Sequence, residues 1–458
     1  MDSFDATDTA IIIAMVTGYI VLTAWLTTRS RSKTSSEFMV GARNMPAAVV
    51  GLLMLSEFIG AKSTIGTAQA AFESGMAASW AVLSAAIGFP LFGLFLARKL
   101  YNSGEYTISG AIAKRFGRST QLIVSLIMIY ALLLVNVGNY LSGAAAIATV
   151  LKIDLPAAAL VIAVVSTFYF AFGGMKSLAY VNIVHSTIKY LGVLVVLAVA
   201  LAMTGGVEPI MQALPAFYFT WDGDIGASTI AAYFIGNIGA IFSTQYIIQA
   251  IASTRSADAA RRSTLIAAAL AVPIGLALGL IGVAARYLYP GMPSLYALPI
   301  FLQSMNVYLA GFVAVSLVAA IFISVSTVAL AIASLVVRDF YVPHFQPAPE
   351  REFITTRRLA VVIGFLPLVF VMFAPGLLHL SFFTRALRLS VTIVAMIGFY
   401  LPFFASNRGA TVGLLLAAVT TTIWYLFDNP YGIDNMFIAL LIPPLVILAE
   451  KLMYKSSA

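Results

Sequence analysis

Long apolar segments recur along the whole chain, separated by short charged or Gly/Pro-rich breaks. Of the 458 residues, 61% are hydrophobic and only 10% are charged. A soluble protein has roughly a quarter of its residues charged, and one helix across a bilayer takes about 20 apolar residues. We therefore predict an all-α integral membrane protein with about 13 transmembrane helices.

The basic residues predict the orientation. Most of the 26 Lys and Arg residues fall in alternate loops, starting with Arg29, Arg31 and Lys33 after the first apolar segment. Cytoplasmic loops are the ones enriched in Lys and Arg. We expect an outside N-terminus, a cytoplasmic C-terminus and a bacterial-type plasma membrane. The first segment lacks a preceding basic region, so it is predicted to be a retained helix and not a signal peptide.

The chain contains no cysteine, and its three histidines lie far apart. Disulfides and thiolate metal sites are thereby excluded, and no spacing of metal ligands or of a nucleophile and its base is present. The positive-inside bias accounts for the net charge of +8 without nucleic acid. We expect no enzyme, no cofactor other than a coupling ion, and no obligate protein partner. The expected partners are a small solute and the lipid bilayer.

Two apolar segments carry glycines where an interruption of the helix is expected. One is Ile59-Gly60-Ala61, and the other is GNIGAIFSTQ, in which Gly236, Asn237 and Gly239 are clustered. Broken helices at the bilayer midplane form the binding sites of many transporters, because they free backbone carbonyls and helix ends. The alternative is that these glycines serve only close helix packing. Their matching positions in two predicted halves of the chain favour a site.

Four segments resemble the sodium:solute symporter family: FMVGARNMPAAVVGLLMLSEFIGAKSTIGTAQAAFESG, AFGGMKSLAYVNIVHSTIKY, QYIIQAIASTRSADAARRS and VAAIFISVSTVALAIASLVVRDFY. They are similar to its first, fifth, sixth and eighth core helices. The resemblance implies a LeuT-like fold with two inverted five-helix repeats, one leading helix and two trailing helices. The implied division is 1–44 for the leading helix and basic loop, 45–206 and 207–405 for the repeats, and 406–458 for the trailing helices.

The resemblance also implies a sodium site. Family members bind sodium between the broken first core helix and the eighth, and the matching positions here are Ser56, Ile59, Ala320 and Ser324. Ile323, also on the eighth core helix, departs from the family, because many members have a hydroxyl there. A second site in some members uses an aspartate on the fifth core helix and neighbouring hydroxyls on the eighth, which Ser326 and Thr327 retain here. The aspartate position is Asn182 here, which argues against a second sodium ion because the carboxylate is lost.

Lys62 lies just beyond the predicted break, beside Ser63. An unpaired lysine at the bilayer centre is costly. It is therefore expected to bind an anionic substrate, to supply the positive charge that sodium provides in relatives while carrying a proton, or to pair structurally with Glu57. We include Glu57, Lys62 and Ser63 among the substrate-site residues.

Asn182, His185 and Lys189 are spaced to share one helical face. Histidine titrates near neutral pH, so this face and Lys62 are candidate proton-coupling residues. The alternative is a structural histidine with a lysine that snorkels outward.

Weaker candidates are scattered over other helices. The substrate-site candidates among them are Asn136, Asn139, Asn237 and Gln245, although membrane amides often only bond to neighbouring helices. Arg385 and Arg388 are expected near the outer face, as gate residues or snorkelling side chains.

These features together predict a secondary active transporter. We expect cation-coupled symport of a small polar organic solute, with a carboxylate as the favoured class and sodium as the favoured ion. Proton-coupled or sodium-independent transport on the same fold is one alternative. A membrane sensor that binds solute without moving it is the other.

Overall fold

The structure, a computed structural model, describes residues 4–373, 380–404 and 406–455, apart from some side chains within these ranges. Almost all of the described backbone is helical, and the β contact it contains is an isolated bridge between Met45 and Thr254. The chain begins with α1 (Ala6–Arg29) and a short α2 (Ser35–Val40).

The next helices lead to a long bent one. They are α3 (Ala47–Phe58), α4 (Ala61–Ser74), α5 (Trp80–Phe92), α6 (Arg98–Ser103), α7 (Ile108–Phe116), α8 (Arg118–Leu151), α9 (Leu155–Thr204) and α10 (Glu208–Ala213).

The remaining helices complete the bundle. They are α11 (Gly226–Ser243), α12 (Gln245–Ala252), α13 (Ala257–Leu288), α14 (Val307–Leu335), α15 (Val342–Phe345), α16 (Pro349–Phe373), α17 (Leu380–Tyr400), α18 (Asn407–Leu426) and α19 (Asn435–Lys455).

Among the described residues, 11 helices are long and apolar enough to cross a membrane. The 50-residue helix α9 bends at Gly174, where φ is +63°, and its length suits two crossings at 1.5 Å per residue. The interrupted pair α3–α4 is a further segment of membrane-spanning length. The prediction of an all-α membrane protein is confirmed, whereas the count of about 13 crossings remains a prediction.

Helix α14 lies at the centre of the bundle. The apolar window of its span is wholly buried, whereas that of α1 is 22% buried. A helix that is apolar on every face belongs inside a bundle, and α14 packs against α1, α8, α9 and α16. Residues on α3, α8, α9 and α14 are therefore held against one another.

A buried acid closes the predicted cytoplasmic end of α14. Asp339 is fully buried, and its carboxylate accepts hydrogen bonds from the Ser109 hydroxyl, from Ser125 Oγ at 2.6 Å and from Gln121 Nε2 at 2.8 Å. These donors lie on α7 and α8, so one charge ties three helices together. Several donors offset the desolvation of a buried carboxylate.

The bend in α9 packs tightly against the loop after α1. A Cβ at Gly174 would lie 2.7 Å from Ser32 Oγ and 2.8 Å from the Phe38 Cα. Nearby, Lys176 Nζ contacts Glu37 Oε1 at 2.7 Å. This ion pair lowers the pKa of the Glu37 carboxyl, chiefly through the hydrogen bond from Lys176, with a further contribution from the Lys33 backbone N–H.

We expect Gly174→Ala to destabilise the protein by about 2 kcal/mol or more, because a left-handed conformation costs an L-residue roughly 1–2 kcal/mol before the contacts with Phe38 are added. The melting temperature of the purified protein measures this. Gly18→Ala in α1 is the matched control, since a Cβ at Gly18 would meet nothing within 4 Å. Equal melting temperatures for the two variants would contradict the assignment of the bend.

Glu37→Gln should show a pH-dependent effect. Because the pKa of Glu37 is lowered in the folded protein, the ion pair stabilises the protein above the ordinary pKa of 4.5 and ceases to do so as the pH falls through the lowered value. The partly exposed pair is worth less than about 1 kcal/mol. Thermal melts from pH 7 downward should show a small deficit of the variant that disappears in acid. Glu350→Gln, at an exposed site, should show no such trend.

Candidate functional site

The helix predicted to break at Gly60 is interrupted there. Helix α3 ends at Phe58 and α4 begins at Ala61; Ile59 (φ −101°, ψ 67°) and Gly60 (φ −80°, ψ −174°) between them are non-helical. An interruption leaves backbone carbonyls without helical partners, and inside a membrane these must be satisfied by other protein groups. The surrounding side chains therefore determine what the break can bind.

Lys189 supplies donors to this break from α9. Its Nζ lies 2.9 Å from the Ile59 carbonyl oxygen, 3.3 Å from the Ser56 carbonyl oxygen and 3.0 Å from Ser56 Oγ. Ser56 and Ile59 are fully buried and Lys189 is 3% exposed. An ammonium has three N–H donors, which three oxygens at these distances can accept. Lys189 thus points into the bundle and does not snorkel outward.

A neighbouring carbonyl is satisfied locally. Ser63 Oγ donates to the Phe58 carbonyl oxygen at 3.1 Å, across the interruption. The side chains of Glu57 and Lys62 lie outside the part of the chain that the structure describes, so the three roles predicted for Lys62 stay predictions.

The predicted sodium ligands on α14 bond to one another. Ser324 Oγ donates to the Ala320 carbonyl oxygen at 2.8 Å and to that of Ile321 at 3.1 Å. The same residue abuts the break, since a Cβ on Gly60 would lie 2.8 Å from Ser324 Cβ. All four predicted ligands therefore surround this region, but two of them present their oxygens to the Lys189 ammonium. A sodium ion needs those same oxygens, so the residues present do not fit sodium while Lys189 holds this position.

The other members of the α9 face are also buried. Asn182 Oδ1 accepts from Ser186 Oγ at 3.0 Å, while Asn182 Nδ2 has no partner among the described residues. The His185 ring nitrogen Nδ1 pairs with the Tyr19 hydroxyl of α1. All three residues of the predicted face are buried; His185 contacts α1, and Lys189 contacts the end of α3 and the break after it. Their role in proton coupling stays a prediction.

The second predicted interruption, within GNIGAIFSTQ (236–245), is present but does not lie at the glycines. Helix α11 runs unbroken through these residues, and the chain is interrupted at Thr244 (φ −65°, ψ 124°), between α11 and α12. The glycines give close packing instead: a Cβ on Gly236 would lie 2.7 Å from Met436, and one on Gly239 would lie 2.6 Å from Leu389. The packing alternative applies to this pair.

An arginine from α17 reaches this second break. Arg388 is 5% exposed, and its guanidinium donates to Thr244 Oγ1 at 2.9 Å and to the Thr384 carbonyl oxygen at 3.0 Å. Ser243 Oγ donates to the Arg388 carbonyl oxygen at 2.8 Å. The Arg388 side chain therefore turns inward to the interrupted helix and does not snorkel outward, while its expected position near the outer face stays a prediction.

The predicted amides differ in how they are used. Asn237 Nδ2 donates to the Ala81 carbonyl at 2.9 Å and to Ser84 Oγ at 2.5 Å. Gln245 Nε2 donates to the Tyr106 carbonyl at 2.8 Å, and Gln245 Oε1 accepts from the Ile108 N–H at 3.0 Å. These bonds join helices, and a role in substrate binding remains a prediction for both residues.

Of the two asparagines predicted on α8, one lies near the first break and the other has polar atoms that are unpaired within the described residues. Asn139 is buried, with its Oδ1 3.8 Å from the position that a Gly60 Cβ would take. Asn136 is fully buried, and neither of its side-chain polar atoms has a partner among the described residues. Buried amides normally find partners, so Asn136 is the amide most available to a solute. Its role in binding is still a prediction.

Comparison with known proteins agrees with this architecture. The model of the sodium:solute symporter family matches residues 38–416. The chain belongs to the sodium:solute symporter family. This confirms the resemblance, and with it the prediction of a secondary transporter that couples the uptake of a small solute to a cation.

Individual relatives are distant but extensive. The chain is 22% identical to the sodium/glucose cotransporter of Vibrio parahaemolyticus over 92% of this chain and 85% of that protein. It is 25% identical to the high-affinity proline transporter PutP of Bacillus subtilis over 86% of this chain and 87% of that protein.

A solved structure supports the fold. A Na⁺-coupled sialic acid symporter, in a substrate-bound outward-open state, has a TM-score of 0.84 at 18% identity and covers 96% of each chain. The LeuT-like fold class is confirmed, while the division into repeats at 45–206 and 207–405 stays a prediction.

We expect Gly60→Ala to destabilise the protein by roughly 1–3 kcal/mol, because the added methyl overpacks the contact with Ser324. Gly66→Ala is the matched control on α4, where a Cβ would meet nothing within 4 Å, and it should leave stability unchanged or slightly increased. Thermal melts of both purified variants measure the difference. Equal stability would mean that the break and α14 are not in contact.

Proposed function

We propose that this chain is an alternating-access symporter that carries a small organic anion, of the carboxylate class, through a chamber between its two interrupted helices. The breaks at Ile59–Gly60 and at Thr244 support the chamber, since discontinuous helices bind solutes and ions in transporters of this kind. The relatives include a glucose cotransporter and a proline transporter, and these names support a small polar solute.

The sign of the buried charge favours an anion. Each break has a cation at it, Lys189 at the first and Arg388 at the second. Neither takes part in an ion pair within the described residues. Positive charge in a site of low dielectric attracts an anion and selects against a cation. The charge of these two side chains is the observation that carries the proposal.

The location of the anion follows from the two cations. Arg388 is the residue of choice for a carboxylate, because a guanidinium offers a planar pair of donors. Asn136 and Asn139 on α8 are proposed to contact the polar remainder of the solute, together with Ser63 and Lys62 on α4. The coupling ion named for the Vibrio glucose cotransporter and for the sialic acid symporter is sodium, and the proposal for the solute does not depend on which ion drives its uptake.

Arg388→Gln should remove recognition of the carboxylate. The experiment measures thermal shifts of the purified protein with a panel of small monocarboxylates, each paired with its neutral amide. We expect a carboxylate to stabilise the wild type more than its amide does, and to lose roughly 30-fold or more in affinity in the variant. Arg351→Gln, an exposed arginine, is the control and should bind as the wild type does.

Equal stabilisation by acid and amide, or unchanged affinity in Arg388→Gln, would refute the anion assignment. The best ligand is then tested in proteoliposomes for accumulation above the outside concentration. Binding without any accumulation would support the sensor alternative over the symporter.

A further inference from the structure

We infer that the Lys189 ammonium takes the place of a sodium ion at the first break, so that transport by this chain does not require sodium at this site. The inference deepens the proposed function, because it concerns how the same chamber is charged. It rests on which atoms surround Lys189 Nζ.

The first step is the identity of the oxygens. The carbonyls of Ser56 and Ile59 are the sodium ligands expected from the family resemblance, and Lys189 Nζ donates to both, at 3.3 Å and 2.9 Å. Ser56 Oγ adds a third contact at 3.0 Å. An ammonium and a sodium ion both bind carbonyl and hydroxyl oxygens through positive charge. The chain itself therefore already places one cation, the Lys189 ammonium, on these three oxygens.

The second step is that the two cations exclude each other. A sodium ion bound to the Ser56 and Ile59 carbonyls would lie within a few ångströms of Lys189 Nζ, and like charges repel strongly at that separation in a low dielectric. The region around the break is closely packed, since Ser324 lies directly against Gly60. Lys189 would have to withdraw before sodium could bind.

The third step is the set of remaining ligands. The Ser324 hydroxyl donates to the Ala320 carbonyl at 2.8 Å, but a donating hydroxyl keeps its lone pairs and could still bind a cation. What this chain lacks is a side-chain oxygen at Ile323 and, at the second family position, the carboxylate that Asn182 replaces. Without that carboxylate, the second position has lost its strongest attraction for sodium.

The fourth step is that burial holds Lys189 in place. Its side chain is 3% exposed and extends from the middle of the part of α9 that follows the bend at Gly174, with His185 one turn before it paired to Tyr19. Leaving the break would cost the ammonium all three of its oxygen contacts and would leave the Ile59 carbonyl without the donor it has here. The ammonium thus supplies the positive charge of this site and also donates hydrogen bonds to its backbone carbonyls.

Sodium binding to the purified full-length protein tests the inference without any solute. Equilibrium binding of radioactive sodium, and melting temperatures in sodium against choline at equal ionic strength, are measured for the wild type, Lys189→Ala and Lys189→Met. We expect no saturable sodium binding and no sodium-dependent shift in the wild type. Lys189→Ala should gain both, because it vacates the oxygens, whereas Lys189→Met fills the space without charge and should gain neither.

Lys176→Ala, on the same helix but in the ion pair with Glu37, is the matched control and should behave as the wild type does. Saturable sodium binding by the wild type, abolished or unchanged in Lys189→Ala, would overturn the inference. If Lys189→Ala cannot be purified in choline but can be in sodium, the ion replaces the lost charge, which supports it. If it cannot be purified in either, the wild-type measurement decides alone.

The result is separable from the proposed function. A sodium-insensitive wild type that binds no carboxylate would refute the anion proposal and leave the role of Lys189 standing. A protein that transports a carboxylate, but stops doing so when choline replaces sodium, would support the anion proposal and count against the role of Lys189.

Discussion

The structure depends on a backbone interruption inside the membrane that protein groups must satisfy. The break at Ile59 and Gly60 frees carbonyl oxygens where no lipid can donate a hydrogen bond. Lys189 and Ser63 donate to three of these carbonyls. These hydrogen bonds offset the free-energy cost of the interruption and define a polar site there. The tight contact of Gly60 with Ser324 then places this site against the central helix α14.

A buried cation reaches each of the two breaks, one donating to backbone carbonyls and the other to a threonine hydroxyl. Lys189, late in α9, reaches the break between α3 and α4, and Arg388, in α17, reaches the break between α11 and α12. In the proposed division into repeats, each cation comes from the fifth helix of its half and each break from the first helix. This correspondence supports the division and explains why one arrangement occurs twice. Each copy of an internal repeat needs a hydrogen-bond donor at its break, but the residue that donates can differ between the two copies.

Much of this could be predicted from the sequence, and the failures have physical causes. Hydropathy and the glycine at 60 predicted the helical bundle and the first break, and helical periodicity placed Asn182, His185 and Lys189 on one face. Periodicity specifies a direction around one helix but not the distance to the next, so Lys189 was not recognised as the donor to Ser56 and Ile59. Glycine occurs both at helix breaks and at close helix contacts, so the glycines of α11 predict a break where the structure has close packing. The actual break at Thr244 has neither glycine nor proline to mark it. The burial of Asp339 with donors from α7 and α8 was not predicted at all, because its partners are distant in sequence.

The attachment of the Lys189 ammonium to its helix has an electrical consequence. A dissolved ion that enters with its solute is left on the far side, so it carries current and draws on the membrane potential, about 2.3 kcal/mol per elementary charge for each 100 mV. The charge of a lysine is covalently attached to the protein, so it returns to its starting position after every cycle and transfers no net charge across the membrane. Whatever work the carrier performs on an anion must then enter through another mobile species or through the concentration difference of the anion itself.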